Sequence, residues 1–112
     1  MLRAILVDDE PISLKNLAKL LENYCPSIDV LACCDSIEDA YSKITELKPN
    51  LIFLDIDMPP YTGFDLLQKV KEVNFEVIFV TAFDHYAIEA IKFSALYYLL
   101  KPLNIQDLKQ SV

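Results

Sequence analysis

Glycine is almost missing from this 112-residue chain, where Gly63 stands alone. Loops of the GxGxxG and GxxxxGK(S/T) types need several glycines to bring the backbone against a phosphate, so both are excluded. His85 is the only histidine. A His-rich zinc site is thereby excluded, and a Ser-His-Asp triad would have a single candidate base. The bland reading of His85, a surface residue opening a helix, needs no chemistry. Cys25, Cys33 and Cys34 are odd in number and lack CxxC spacing, so neither a disulfide framework nor a metal knuckle is indicated and a reducing cytoplasm is the natural compartment. Basic residues are outnumbered, with Lys+Arg 10 against Asp+Glu 17 and a formal net charge of -7. That balance argues against this chain gripping nucleic acid or an anionic membrane by itself. Long apolar runs are lacking too: none approaches the roughly 20 residues of a membrane span, and the run in MLRAILVDDE meets acids too early for a signal peptide.

What the chain does have is apolar residues, 54% of the total, spread evenly enough to build one domain over residues 1–112. Short apolar runs without period-two alternation recur at Leu2 to Val7, Ile28 to Cys34, Leu51 to Leu54, Val77 to Val80 and Leu96 to Leu100. Strands covered on both faces read this way, which points to a parallel sheet. Between them lie stripes of helical period: Leu14, Leu17, Ala18 and Leu21; Ala40, Ile44 and Leu47; Phe64, Leu67 and Val70; Ala87, Ala90 and Ile91. Ser36 with Asp39, and Asn104 with Asp107, have the cap-plus-acid spacing of helix starts. The pattern is a strand followed by a helix, five times over, and it predicts a doubly wound (βα)5 flavodoxin-like fold with strand order 2-1-3-4-5. The last helix begins near Ile105 and meets the end of the sequence at Val112. About two turns is marginal for a helix, so the chain reads as a domain cut within its last helix.

Polar residues gather at the carboxyl ends of the strands. Asp8 and Asp9 follow the first, Asp55 the third, Thr81 the fourth and Lys101 the fifth. Ligands of open α/β sheets bind outside these ends at the topological switch point, which in this strand order lies between the first and third strands. Asp8, Asp9 and Asp55 would meet there. Such a carboxylate cluster needs a counter-charge, and oxygen ligands with few protein donors suit Mg²⁺. Asp55 could then attack phosphorus as a carboxylate nucleophile, with the metal and the Lys101 ammonium neutralising the phosphoryl oxygens. Singly, each residue has a duller reading: Asp9 serves equally well as a helix cap, Thr81 as a strand-end residue, Lys101 as a solvated charge and Tyr98 as a core ring. The ordered set is far more specific than its members.

ILVDDEP at Ile5 to Pro11, LIFLDIDMP at Leu51 to Pro59, Gly63, VTAF at Val80 to Phe83 and YLLKP at Tyr98 to Pro102 together resemble the receiver domain of bacterial two-component response regulators. The resemblance implies that Asp55 is the phosphoacceptor, charged by a sensor histidine kinase, and that Asp8 and Asp9 hold Mg²⁺ with Asp55 and the main-chain carbonyl of Asp57. It implies that Thr81 moves to bond the phosphoryl group, that Tyr98 turns inward behind it, and that Lys101 contacts the phosphate. A cis Lys101–Pro102 peptide is expected on the same ground. The stretch TAFDHYAIEAIKFSALYYLLKP is similar to receivers that precede LytTR-type DNA-binding domains, which implies transcriptional output through a C-terminal domain. Tyr97 replaces the acidic residue usual in that subfamily and Ser94 the usual Asn, while Phe83 and Asp57 fall at variable positions. Tyr86, Phe93, Tyr97 and Leu103 are candidates for an apolar output face that would favour a homodimer, Phe93 being the one best suited to the core.

Two rivals differ in class. A pseudo-receiver would be an interaction module that is never phosphorylated, and the complete set of Asp8, Asp9, Asp55, Thr81 and Lys101 speaks against it. A flavin binder on the same fold would carry a Ser/Thr/Gly-rich loop after the first strand, where this chain has Asp8, Asp9 and Glu10.

Overall fold

In the computed structural model, residues 2–70, 74–83, 85–93 and 95–112 are described. Their elements run β1 (Leu2–Val7), α1 (Pro11–Tyr24), β2 (Ile28–Cys34), α2 (Ile37–Leu47), β3 (Leu51–Leu54), β4 (Asp57–Met58), β5 (Tyr61–Thr62), α3 (Gly63–Lys69), β6 (Glu76–Thr81), α4 (Ala87–Lys92), β7 (Tyr97–Leu100) and α5 (Ile105–Ser111). The five apolar runs pair in parallel in the order β2-β1-β3-β6-β7. This is the 2-1-3-4-5 order, once the small antiparallel β4-β5 hairpin is set aside.

The sheet is covered on both faces, and the pleat sorts its side chains between two cores. Ile5, Val7, Ile52, Leu54, Val77 and Phe79 face α2, α3 and α4, through Ile37, Ala40, Ile44, Phe64, Leu67 and Ala90. Ala4, Leu6, Leu51, Phe53, Ile78, Val80 and Leu99 face α1 and α5, through Leu14, Leu17, Leu21 and Leu108. Central strands with apolar residues at every position are thus explained by burial on both sides.

Local signals act where the side chains can reach. The Ser36 hydroxyl accepts from the Asp39 N–H at 3.1 Å, and the Asn104 side chain accepts from Gln106 and Asp107 N–H groups. Helix α1 instead starts with Pro11 at its first turn and no side-chain cap, a position where the missing proline N–H costs nothing. Asp9 therefore does not cap it, and Asp8 accepts from the Glu10 N–H at 2.9 Å.

The fourth helical stripe is corrected. Ala90 is buried, but Ile91 is 75% exposed and Ile88 73% exposed, because α4 is only one turn and a half long and Ala90 alone carries its inward face. Phe93 stacks on Phe64 at 5.2 Å between ring centroids, Tyr86 meets Phe64 edge-on, and Leu103 packs on the α1 side. Of the four candidates for an apolar outer face, only Tyr97 is exposed, beside Ile88, Ile91, Leu96 and Leu100. Ser94 lies outside the described residues.

The single glycine has a steric reason. A Cβ on Gly63 would stand 2.4 Å from the Asp55 carbonyl oxygen and 3.0 Å from Leu54 Cγ, while the Gly63 N–H donates to Ile56 at 2.8 Å. Helix α3 can start this close to the end of β3 only without a side chain. Gly63→Ala is expected to lower stability by about 1–3 kcal/mol, the usual cost of overpacking a rigid site. Chemical denaturation checks this, and an unchanged midpoint would mean that the β3–α3 connection yields freely.

Candidate functional site

Backbone hydrogen bonds carry the sheet ladder one residue past the strand ends. Asp8 N–H donates to Cys34, Asp55 N–H to Val7 at 2.9 Å, and Lys101 N–H to Thr81 at 2.8 Å. The residues that follow the strands are therefore fixed by the ladder itself. Val7 pairs with Leu54, and Thr81 with Leu100, so Asp8 stands next to Asp55 and Lys101 next to Thr81.

Lys101 joins the two carboxylates. Its Nζ donates to Asp8 Oδ2 at 2.7 Å and to Asp55 Oδ2 at 3.3 Å, and both acids are buried. Asp55 Oδ1 also accepts from the Asp57 N–H at 3.3 Å. Burial, with the charge of Asp8 added, pushes the Asp55 carboxyl up to about 6 against the pull of Lys101 and of the Asp57 N–H. Partial burial opposes the charge on Lys101, but the hydrogen bonds and charges of Asp8 and Asp55 outweigh it and hold the ammonium above its ordinary pKa. Desolvation and then the charge of Asp8 raise the Asp9 carboxyl. One ammonium does not neutralise the carboxylates gathered here.

The carboxylates of Asp8, Asp9 and Glu10 can bring one oxygen each within 4.8 Å of one another. Glu10 was not foreseen in that group, and Asp55 is held beside it by Lys101. The donors are hard oxygens with excess negative charge, a set that fits Mg²⁺ rather than a thiolate- or imidazole-seeking metal.

Thr81 is fully buried, and its hydroxyl accepts from the Phe83 N–H at 3.4 Å. Tyr98 is half-buried, its ring 6.4 Å from that of Phe79, and its hydroxyl donates to the Phe83 carbonyl at 2.5 Å. Thr81 and Tyr98 thus hold the two sides of one residue's main chain. The Lys101–Pro102 peptide is cis, as expected, and so is Pro59–Pro60, which was not foreseen. His85 is exposed just before α4, its ring 4.2 Å from that of Tyr86. Ser13, also unforeseen, accepts from Lys101 Nζ at 3.3 Å. The signal lay in Pro11: it starts a helix, and side chains in a first turn lean back toward its N-terminus.

Among the described residues, no helix is long and apolar enough to cross a membrane. An uncharacterised response regulatory protein of Vibrio cholerae is 41% identical over 113 residues, covering all of this chain and 47% of that protein. The sensory transduction protein LytT of Bacillus subtilis is 34% identical over 114 residues, again covering the whole chain and 47% of the relative. The chain spans about half the length of these curated relatives. Among solved structures, a DNA-binding response regulator of the LuxR family from Staphylococcus aureus superposes with a TM-score of 0.88 at 30% identity, covering 99% of this chain and 95% of that one. The response regulatory domain of protein mrkE from Klebsiella pneumoniae gives 0.87 at 26% identity, covering 97% and 90%. The family described as the response regulator receiver domain matches residues 4–112, and with the strand-end residues arranged as above, the chain belongs to that family.

Proposed function

We propose that the domain is a phosphorylation-dependent switch in which Asp55 takes a phosphoryl group from a phosphohistidine of a sensor histidine kinase. A carboxylate oxygen of Asp55 forms the bond to phosphorus as the bond from phosphorus to the imidazole nitrogen breaks, leaving an acyl phosphate on Asp55 and a free histidine on the kinase. The observation that carries this reading is the Lys101 ammonium lying between Asp8 and Asp55 at 2.7 and 3.3 Å. It places a cation where phosphoryl oxygens would develop charge. With its carboxyl at about 6, Asp55 is ionised and nucleophilic at neutral pH. Asp8, Asp9, Asp55 and the main-chain carbonyl of Asp57 would hold Mg²⁺, which supplies charge neutralisation when bound.

The switch follows from the shared residue. A phosphoryl group adds close to two negative charges and strong acceptors beside Thr81. The Thr81 hydroxyl, drawn to them, releases the Phe83 N–H, and Tyr98 is bonded to the other side of the same residue. The outer face beyond it carries Ile88, Ile91, Tyr97 and Leu100, and we read it as the surface that pairs in a homodimer. Transcriptional output, through a C-terminal DNA-binding domain outside this chain, accords with relatives called sensory transduction protein LytT and transcriptional regulatory protein BtsR. The domain is thus regulatory, and its own phosphotransfer and slow dephosphorylation serve that role in the cytoplasm.

Incubation with radiolabelled acetyl phosphate and Mg²⁺ is expected to label the wild type with an acid-labile, base-labile acyl phosphate and to leave Asp55→Asn unlabelled. Equal incorporation in both would remove Asp55 as acceptor, and no incorporation in either would favour the pseudo-receiver.

Mg²⁺ is expected to stabilise the folded state by mass action, by about 2.7 kcal/mol at a hundredfold excess over Kd, and so to raise the melting temperature. Asp9→Ala should lose most of that rise. A rise of the same size in the variant would place the metal elsewhere.

In metal-free protein the elevated Asp55 carboxyl fixes the sign of a pH effect. Its folded pKa of about 6 lies above the ordinary aspartate value of about 3.9, so the folded state binds more protons between the two. The stabilising contribution is present below pH 4 and is lost as the pH rises through 6. Asp55→Asn should remove it, leaving the variant more stable than wild type at pH 8, by about 3 kcal/mol. Denaturation curves without metal at pH 5 and pH 8 check this, and a wild type more stable than the variant at pH 8 would contradict it.

A further inference from the structure

A lysine ammonium has three N–H bonds on a flexible four-carbon stem. On Lys101 all three have acceptors, and only two of these are carboxylates. The third is Ser13 Oγ, at 3.3 Å. Ser13 sits in the first turn of α1, two residues after Pro11, and it lines with Asp8, Leu17, Lys101 and Leu103 a cleft of about 520 Å³ that opens between α1 and the β7–α5 connection. The Lys101 side chain therefore runs along the wall of an open cleft, with solvent as an alternative partner. Its bond to Asp8, at 2.7 Å, is much shorter than its bond to Asp55, at 3.3 Å. Without the Ser13 acceptor, only the longer bond to Asp55 and solvent oppose rotation of the ammonium onto Asp8.

We propose that Ser13 is a positioning residue: its hydroxyl, accepting from Lys101, fixes the rotation of the ammonium so that one N–H stays directed at Asp55. The role rests on the reading of Asp55 as phosphoacceptor, since Lys101 is what would meet the incoming phosphoryl oxygens. Ser13 acts only through Lys101. A structural alternative is easily separated, because Ser13 is only half-buried and alanine is the better helix former. Ser13→Ala should leave stability unchanged or slightly increased, and a slower reaction in that variant would not reflect a weakened fold.

The test measures the rate of Asp55 labelling by acetyl phosphate in Mg²⁺, together with the ¹⁵Nζ resonance of Lys101. Ser13→Ala is expected to slow labelling about 3- to 10-fold, the effect of one hydrogen bond to a charged group at the long end of its range. Ser13→Thr, which keeps the hydroxyl, should restore the rate, and Ser13→Ala should have no further effect in a Lys101→Ala background. The Lys101 resonance should broaden or shift in Ser13→Ala and recover in Ser13→Thr. Full-speed labelling by Ser13→Ala, or the same loss with and without Lys101, overturns the proposal. An unlabelled wild type overturns the phosphoacceptor reading and the positioning role with it, and the resonance then distinguishes a real but purely structural contact from none.

Discussion

The Lys101 ammonium is what allows two carboxylates to lie buried side by side at the end of this sheet. Asp8 and Asp55 are brought together by backbone pairing of β1 with β3, which no side-chain chemistry can undo without breaking the ladder. Their mutual repulsion, in surroundings drier than water, is then a cost imposed by the fold. Lys101 answers it only in part, because a single positive charge faces Asp8, Asp55 and the nearby Asp9 and Glu10. The residual negative potential is what the proposed function draws on. A site fully neutralised within the chain would have no affinity left for a divalent cation, and a site without Lys101 would hold two uncompensated buried acids.

The same geometry ties the charged cluster to the surface. Lys101 N–H is bonded to the Thr81 carbonyl, and the Thr81 hydroxyl to the Phe83 N–H. Phe83 in turn receives the Tyr98 hydroxyl on its carbonyl. Each step is a short-range contact with a defined donor and acceptor, so a change in charge at Asp55 need travel no further than adjacent strands to reach the apolar residues of α4 and β7. Those residues are held weakly by comparison: α4 is short, and Ala90 alone carries its buried face. An element with so little packing is the part of the domain best suited to move while β1, β3 and β6 stay fixed.

Much of this was legible because periodicity and chain order speak directly about backbone. Apolar runs buried on both faces gave parallel strands, and the strand order placed Asp8 and Asp55 at the switch point. The caps at Ser36 and Asn104 were readable for the same reason: they involve residues three or fewer positions apart. Side-chain direction in short or irregular segments was much less legible. Ile91 fits a helical stripe but turns outward, since a helix as short as α4 has too few turns for a stripe to define its buried face. Tyr86 reads as part of an outer face and Phe93 as a core residue, yet both find Phe64, a contact across 22 and 29 positions whose partner no local pattern encodes. The Asp9 cap failed because Pro11 already starts α1 without needing one.

Gly63 shows how closely fold and chemistry constrain each other here. The residue is needed because α3 begins against the Asp55 carbonyl, and α3 begins there because the β4-β5 hairpin reverses the chain just after the site. Asp55 is itself buried, and burial is the first cause of its elevated pKa. The absence of glycine elsewhere has the complementary meaning. No stretch of this chain can approach an anion as a glycine-rich phosphate loop would, so under the function proposed above recognition of a phosphoryl group would fall to charge: the Lys101 ammonium and a cation held by the buried acids.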